Sequence, residues 1–287
     1  MSRYTDQTRV THQSILTSLN VSEQELRARD IKLADLVEIH NDYITRHNEL
    51  DDIASLIANV LLRENEVHAV RYRVKEPIHL LKKIVRKKKE YPERNLTVHN
   101  YLQHINDLAG VRVLHLQREH CFSIGKYIRH TWELKRMPYA YVNDVTTSQS
   151  QLLREHGYNV LINPRGYTAL HYIIKSKPNK QLYFVEIQAK TLFEEGWSEI
   201  DHCIRYPDHE PNALLRYLLH FLNRLTNHSD ETAAQIHAIA YELDKYKSST
   251  EADVDQIKQA ISHHITKLPL EENEKQQLYT CLAQLKL

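Results

Sequence analysis

Asp107 and Glu186 are the residues from which a reaction could be built. Asp107 lies in Ile105-Asn106-Asp107-Leu108-Ala109-Gly110-Val111-Arg112, at the entrance to a valine- and leucine-rich run that reads as a buried strand. Glu186 lies in Phe184-Val185-Glu186-Ile187-Gln188, where a period of two puts it and Gln188 opposite Val185 and Ile187. Each acid alone has an ordinary reading, since aspartate caps turns and a glutamate on a half-exposed strand is a surface residue. Brought together from two strands of one sheet, they could share Mg²⁺, which takes one or two carboxylates and completes its octahedron with substrate phosphates.

A counterpart for phosphate stands upstream. Nine basic residues and one acid, Glu76, fall between positions 71 and 89. Like charges repel, so such a concentration is either a solvated basic face or a cradle for a triphosphate, whose arginines could also stack on a base. Gly166-Tyr167-Thr168-Ala169-Leu170-His171 puts Tyr167 and His171 on one strand face, four residues apart. The pair either packs or offers a stacking ring and a phosphate donor.

The elements that must position these groups follow from periodicity. Residues 22–64 read as helical, opened by the Ser22/Glu25 capping box. Residues 70–75 alternate Arg71, Arg73 and Lys75 against Tyr72 and Val74, a strand with one cationic face. Pro77 suits the first position of a helix with Ile78, Leu81, Ile84 and Val85 as its apolar stripe. Residues 97–105 and 119–134 read as helices, 110–116 as a strand, and 137–165 as a strand, a mobile loop and a lead-in. Residues 167–175 and 181–188 form a hairpin, and Thr191/Glu194 cap a helix ending near Pro207. From Pro211 onward, breaks near Ser248 and Pro269 give three more helices. The division expected is a helical extension over 1–66, a catalytic domain over 67–227 and a helical extension over 228–287.

Composition narrows the partners. Lys plus Arg (38) nearly balance Asp plus Glu (37), so phosphate must be met by a local cluster rather than by a whole-molecule field. Five glycines, with neither a P-loop nor a G-x-G-x-x-G pattern, leave phosphate binding to side chains. Cys121, Cys203 and Cys281 are too scattered for a disulfide framework or a zinc knuckle, which fits a reducing cytoplasm. No run of about 18 apolar residues suggests a membrane span, and no apolar run follows the N-terminus as a secretion signal would require. The nineteen histidines are dispersed, with ordinary surface and packing roles.

Taken in order, these pieces resemble the synthetase domain of the RelA/SpoT family, which makes the alarmones ppGpp and pppGpp. The resemblance runs over about residues 70–227, through Arg73-Val74-Lys75 with Lys83 and Arg86-Lys87, the Asp107 to Arg112 string, the Gly166 to His171 string, and Val185-Glu186-Ile187-Gln188-Ala189-Lys190-Thr191 running into Trp197-Ser198-Glu199-Ile200-Asp201-His202. It implies an α/β (α+β) fold with a nucleotidyltransferase-like mixed sheet flanked by helices, and transfer of pyrophosphate from ATP to the 3′-hydroxyl of GDP or GTP. By position, Asp107 and Glu186 would be catalytic and hold Mg²⁺, with Glu186 also accepting the hydroxyl proton. Arg73 and Arg112 would sandwich the adenine of ATP, and Lys75, Lys83, Arg86 and Lys87 would hold its phosphates. Tyr167, His171, Gln188 and Glu195 would face the acceptor, with Tyr167 stacked on its base.

The sequence departs from the family pattern in three places. Asn163-Pro164-Arg165 replaces a Lys-x-Asn pattern, Glu195 stands where some small synthetases have a guanine-contacting asparagine, and Lys190 replaces an arginine. These departures bear on guanine. The resemblance also admits toxic relatives that pyrophosphorylate the 3′-CCA end of tRNA, with Lys88, Lys89 and Arg94 as groove candidates or plain exposed charge, and relatives that make ppApp. A third reading is an idle nucleotide- or protein-binding module. The family's hydrolase domain, with its His-Asp dyad, and its large regulatory region are not expected here, so the chain reads as a stand-alone cytoplasmic synthetase of the stringent response. An antitoxin or a second copy could pair with its helical extensions.

Overall fold

The computed structural model describes residues 10–205, 211–247 and 254–284. Four helices come first: α1 (His12–Leu19), α2 (Glu23–Ala28), α3 (Leu33–Thr45) and α4 (His47–Leu61). The Ser22/Glu25 box forms at the start of α2, with Glu25 N–H donating to Ser22 Oγ and Ser22 N–H donating to Glu25 Oε2. α1 precedes the helical region read from the sequence and carries the same reciprocal cap, Thr11 with Ser14.

Six strands form one mixed sheet in the order β1-β2-β6-β5-β3-β4. They are β1 (Ala69–Val74), β2 (Ala109–His115), β3 (Tyr139–Val142), β4 (Asn159–Ile162), β5 (Ala169–Ser176) and β6 (Tyr183–Thr191). β2 runs parallel to β6 and β3 to β4, while the other pairs are antiparallel. The remaining helices are α5 (Pro77–Glu90), α6 (Tyr101–His104), α7 (His120–Thr131), α8 (Ser148–Glu155), α9 (Leu192–Arg205), α10 (Ala213–Lys247), α11 (Val254–Lys267) and α12 (Glu272–Ala283). The result is the expected mixed sheet flanked by helices.

Register sorts the strands into two faces. Val111, Val113, Val185, Ile187, Ala189, Tyr172 and Ile174 are buried on one face, with α4 packed on β1 and β2 beneath them. Each such residue takes apolar surface out of water, worth roughly 1.5–3 kcal/mol for a full Val or Ile side chain. The alternate positions carry polar groups, which is why the chemistry gathers on one side of the sheet.

Several segments differ from the sequence reading. Residues 137–165 hold β3, α8 and β4 rather than a mobile loop. Thr147 caps α8 by accepting from Ser150 N–H, and the helix buries only Ser150 and Leu153, too few for a visible stripe. The helix expected over 97–105 shrinks to α6, because Asn100 accepts from Thr97 N–H and donates to the Asn95 carbonyl, local bonds that compete with a helix. α10 runs unbroken through position 227, where a boundary was expected. The breaks read at Ser248 and Pro207 lie outside the described residues. Among the described residues no helix is long and apolar enough to cross a membrane.

Candidate active site

The polar face presents one row of chemistry across five strands. Arg71 pairs in register with Arg112, which pairs with Gln188; Arg73 pairs with Gly110, which pairs with Glu186. On the other side His171 faces Gln188, and Tyr139 faces His171. Cross-strand partners share a face, so the arginines over β1 and β2, the carboxylate on β6 and the rings over β5 and β3 line up.

Asp107 sits just before β2 with its side chain 19% exposed, between Lys75 (3.0 Å to Oδ2) and Lys83 (2.7 Å to Oδ1). Burial would raise its carboxyl pKa; the two ammonium groups outweigh that and hold it below the usual aspartate value. Lys75 is itself lowered, by burial first, with Asp107 opposing. Lys75 and Lys83 each hold one carboxylate oxygen of Asp107 in a charge-assisted contact.

Glu186 closes a polar ring. His171 Nδ1 lies 3.2 Å from Glu186 Oε1, Gln188 Nε2 donates to Oε2 at 2.8 Å, and Tyr167 Oη lies 2.9 Å from His171 Nε2 and 3.3 Å from Gln188 Oε1. Tyr167 has one hydroxyl proton, so it donates to His171 or to Gln188, not to both. Burial pushes the Glu186 carboxyl up and the nearby charge of Asp107 adds to this, but the bonds from His171 and Gln188 hold it below the usual glutamate value. Burial drives the Tyr167 hydroxyl far above the ordinary tyrosine range.

The two acids line the same space. A cavity of about 960 Å³ is bounded by Asp107, Glu186, Lys83, Lys87, Arg94, Lys135 and Arg136, and a smaller one of about 170 Å³ by Asp107, Glu186, Arg73, Arg112, Gln188 and His202. An oxygen-only pair of carboxylates lining one space, both held toward the ionised form, fits Mg²⁺. Among the described residues no group of three or more His, Cys, Asp or Glu could hold a metal, so an ion here depends on phosphate oxygens to complete its shell.

Residues 72–211 match the family described as the region found in RelA / SpoT proteins. The chain therefore carries a RelA/SpoT region. It is accordingly a pyrophosphokinase. Among solved structures, small alarmone synthetase 1 from Bacillus subtilis bound to its product pppGpp is 18% identical, with 68% of this chain and 92% of that chain covered and a TM-score of 0.47. smu.1046c from Streptococcus mutans UA159 gives 20%, 68%, 92% and 0.48. A GTP pyrophosphokinase family protein from Streptococcus pneumoniae gives 19%, 68%, 89% and 0.46. These likenesses are loose, and the family reading rests on the matched region. No curated protein matches the chain.

Within this RelA/SpoT region the sequence-named residues do not all gather at the acids. Arg73, Lys83, Lys87, Arg112 and Gln188 line the two cavities with Asp107 and Glu186, whereas Arg86 is exposed on α5. Lys87 is paired with Glu90. Glu195 lines neither cavity. It is buried on α9, where Arg112 Nη1 donates to it at 2.8 Å and Lys190 lies 3.3 Å away, and Arg112 also donates to Glu199. Lys190 in turn sits 4.8 Å from the centre of the Tyr167 ring. Lys88, read as a groove cation or exposed charge, is buried against Asp30 and Asn95. Sequence reasoning missed Lys135 and Arg136 in the large cavity. Their signal was an adjacent basic pair in the short gap between the helix read over 119–134 and the segment read from 137. Lys135 donates to the Gln103 carbonyl and to Asn106 Oδ1, tying it to the loop that carries Asp107.

Proposed function

We propose that the chain transfers the β,γ-diphosphate of ATP to the 3′-hydroxyl of GDP or GTP, giving a 3′-diphosphate and AMP. The observation that carries this reading is the meeting of Asp107 and Glu186 at one cleft walled by cations. Displacement at phosphorus needs in-line positioning and charge neutralisation rather than a covalent intermediate, and the cleft offers both. The 3′-oxygen forms its bond to the β-phosphorus while the bridging oxygen leaves with AMP.

Arg73 and Arg112, over β1 and β2, take the adenine between them, and Lys75 and Lys83 exchange Asp107 for the triphosphate. Arg86 and Lys87 extend that wall. Glu186 accepts the hydroxyl proton, with His171 at its Oε1 ready to share it. Tyr167 gives the acceptor base a ring to stack on, beside Gln188. Mg²⁺ held by Asp107 and Glu186 would neutralise phosphate charge and lower the cost of deprotonating the 3′-hydroxyl.

A second reading, transfer to the 3′ end of tRNA, draws support from the size of the larger cavity and from Arg94, Lys135 and Arg136 on its wall, cations additional to those assigned to ATP. Incubation with γ-³²P-labelled ATP, Mg²⁺ and GDP, GTP, ATP or deacylated tRNA in parallel separates the cases. Label on GDP or GTP supports the proposal. Label on tRNA alone, or on ATP as ppApp, replaces the acceptor, and no label at all leaves a binding module.

A further inference from the structure

Asn223 lies on α10, beyond the 72–211 match, and binds back into the catalytic sheet. Its Nδ2 donates to the Gly166 carbonyl at 2.9 Å, while its Oδ1 accepts from Asn143 Nδ2 at 3.3 Å and from Asn227 Nδ2 at 3.1 Å. One buried carboxamide thus joins the turn before β5, the end of β3 and a long helix. Gly166 has φ +81°, in the left-handed region, and a Cβ there would meet the Asn223 carboxamide at 3.4 Å. The turn also closes on itself, by Gly166 N–H to the Asn163 carbonyl and Arg165 N–H to Asn163 Oδ1, both at 2.9 Å.

The rings at stake are adjacent to these contacts. Tyr167 follows Gly166, Tyr141 precedes Asn143 by two residues, and their centroids are 6.0 Å apart. Both rings lie edge-on to His171, at 5.6 and 5.0 Å. We infer that Asn223 is a positioning residue for the acceptor: through Gly166 and Asn143 it holds Tyr167 and Tyr141 around His171 and Glu186. This rests on the reading of Tyr167 and His171 as the acceptor side. Among the described residues no hydrogen bond joins Asn223 to β1 or β2, where the donor side lies, so the two nucleotides should respond differently to its loss.

Asn223→Asp keeps the shape and the Oδ1 acceptor but has no N–H for the Gly166 carbonyl; Asn223→Ala removes both. In the full-length chain, acceptor KM is expected to rise by about tenfold in each, with ATP KM and kcat at saturating acceptor within about twofold, the pattern of a lost binding contribution. Amide exchange over residues 163–168 is expected to accelerate. An unchanged acceptor KM, or a fall in kcat with both KM values rising together, overturns the inference and leaves Asn223 a packing contact. If the unmutated protein transfers to no acceptor, the proposed function fails by itself. The exchange rates of Asn223→Asp then decide the clamp, and unchanged exchange over 163–168 refutes it.

Discussion

Asp107 has two duties, so its removal should have two effects. Asp107→Ala and Glu186→Ala are each expected to lower transfer by at least about a thousandfold, as loss of a main charge-stabilising group does. Their stabilities should differ. Asp107 neutralises Lys75 and Lys83, whose side chains are only 14% and 21% exposed. Stranding them should cost about 3 kcal/mol. Urea unfolding of the two variants checks this, and equal, small losses would contradict it. Glu195 also invites a direct test, because its carboxylate serves Arg112 and Lys190 rather than the open cleft. Glu195→Gln should raise the ATP KM several-fold through a loosened Arg112. A rise confined to the acceptor KM would instead mark Glu195 as a reader of the acceptor base.

At the scale of elements, α5 shows that a basic run is not one surface. Lys83 turns to Asp107, Lys88 to Asp30 and Asn95, and Lys87 to Glu90, while Arg86 and Lys89 face solvent. The junction of α10 with β6 and α9 carries a titration. Asp230 on α10 accepts from Thr191 Oγ1 at 2.9 Å and lies 3.5 Å from Arg118, and it is buried. Burial, reinforced by Glu194 and opposed by Arg118, raises its carboxyl to about 7. A carboxyl raised in the folded state stabilises fully below its unfolded value, and that contribution is lost as pH climbs toward the folded one. Between about pH 4 and 7 the stability of the unmutated chain should therefore fall relative to Asp230→Asn, by up to about 1.4 kcal/mol per pH unit. Denaturant titrations of both proteins across that range measure the difference, and parallel curves would exclude Asp230 as the source.

Two apolar cores form among the described residues. The larger joins α1 to α7 with the sheet, and a small one holds Tyr246, Ile257, Ile261 and Ile265 among α10, α11 and α12. The first half of α10 belongs functionally with the sheet, since Trp197 Nε1 donates to the Leu219 carbonyl and Asn223 reaches Gly166. A chain ended after residue 234 should keep those contacts and retain activity, whereas one ended after 211 should lose them. Melting temperature and acceptor KM of the two truncations test this, and loss of activity in the longer one would show that the second core supports catalysis.

How much was legible follows from which forces are local. The sequence by itself determined the polar and apolar faces of β1, β2, β5 and β6, the caps at Ser22 and Thr191, and the pairing of Asp107 with Glu186 as candidates. These rest on alternation, turn chemistry and ordered motifs along one stretch of chain. The four-residue strand β4 and the helix α8 stayed hidden, because elements so short bury too few side chains to leave a period. Only the tertiary structure decided that Glu195 is spent on Arg112 and Lys190, that Lys88 is buried, that Lys135 and Arg136 wall the cleft, and that Asn223 reaches Gly166. Each depends on a partner between 5 and 83 residues away whose position is set by packing. A side chain's type and neighbours in sequence say what it can bind; only the fold says which partner arrives first.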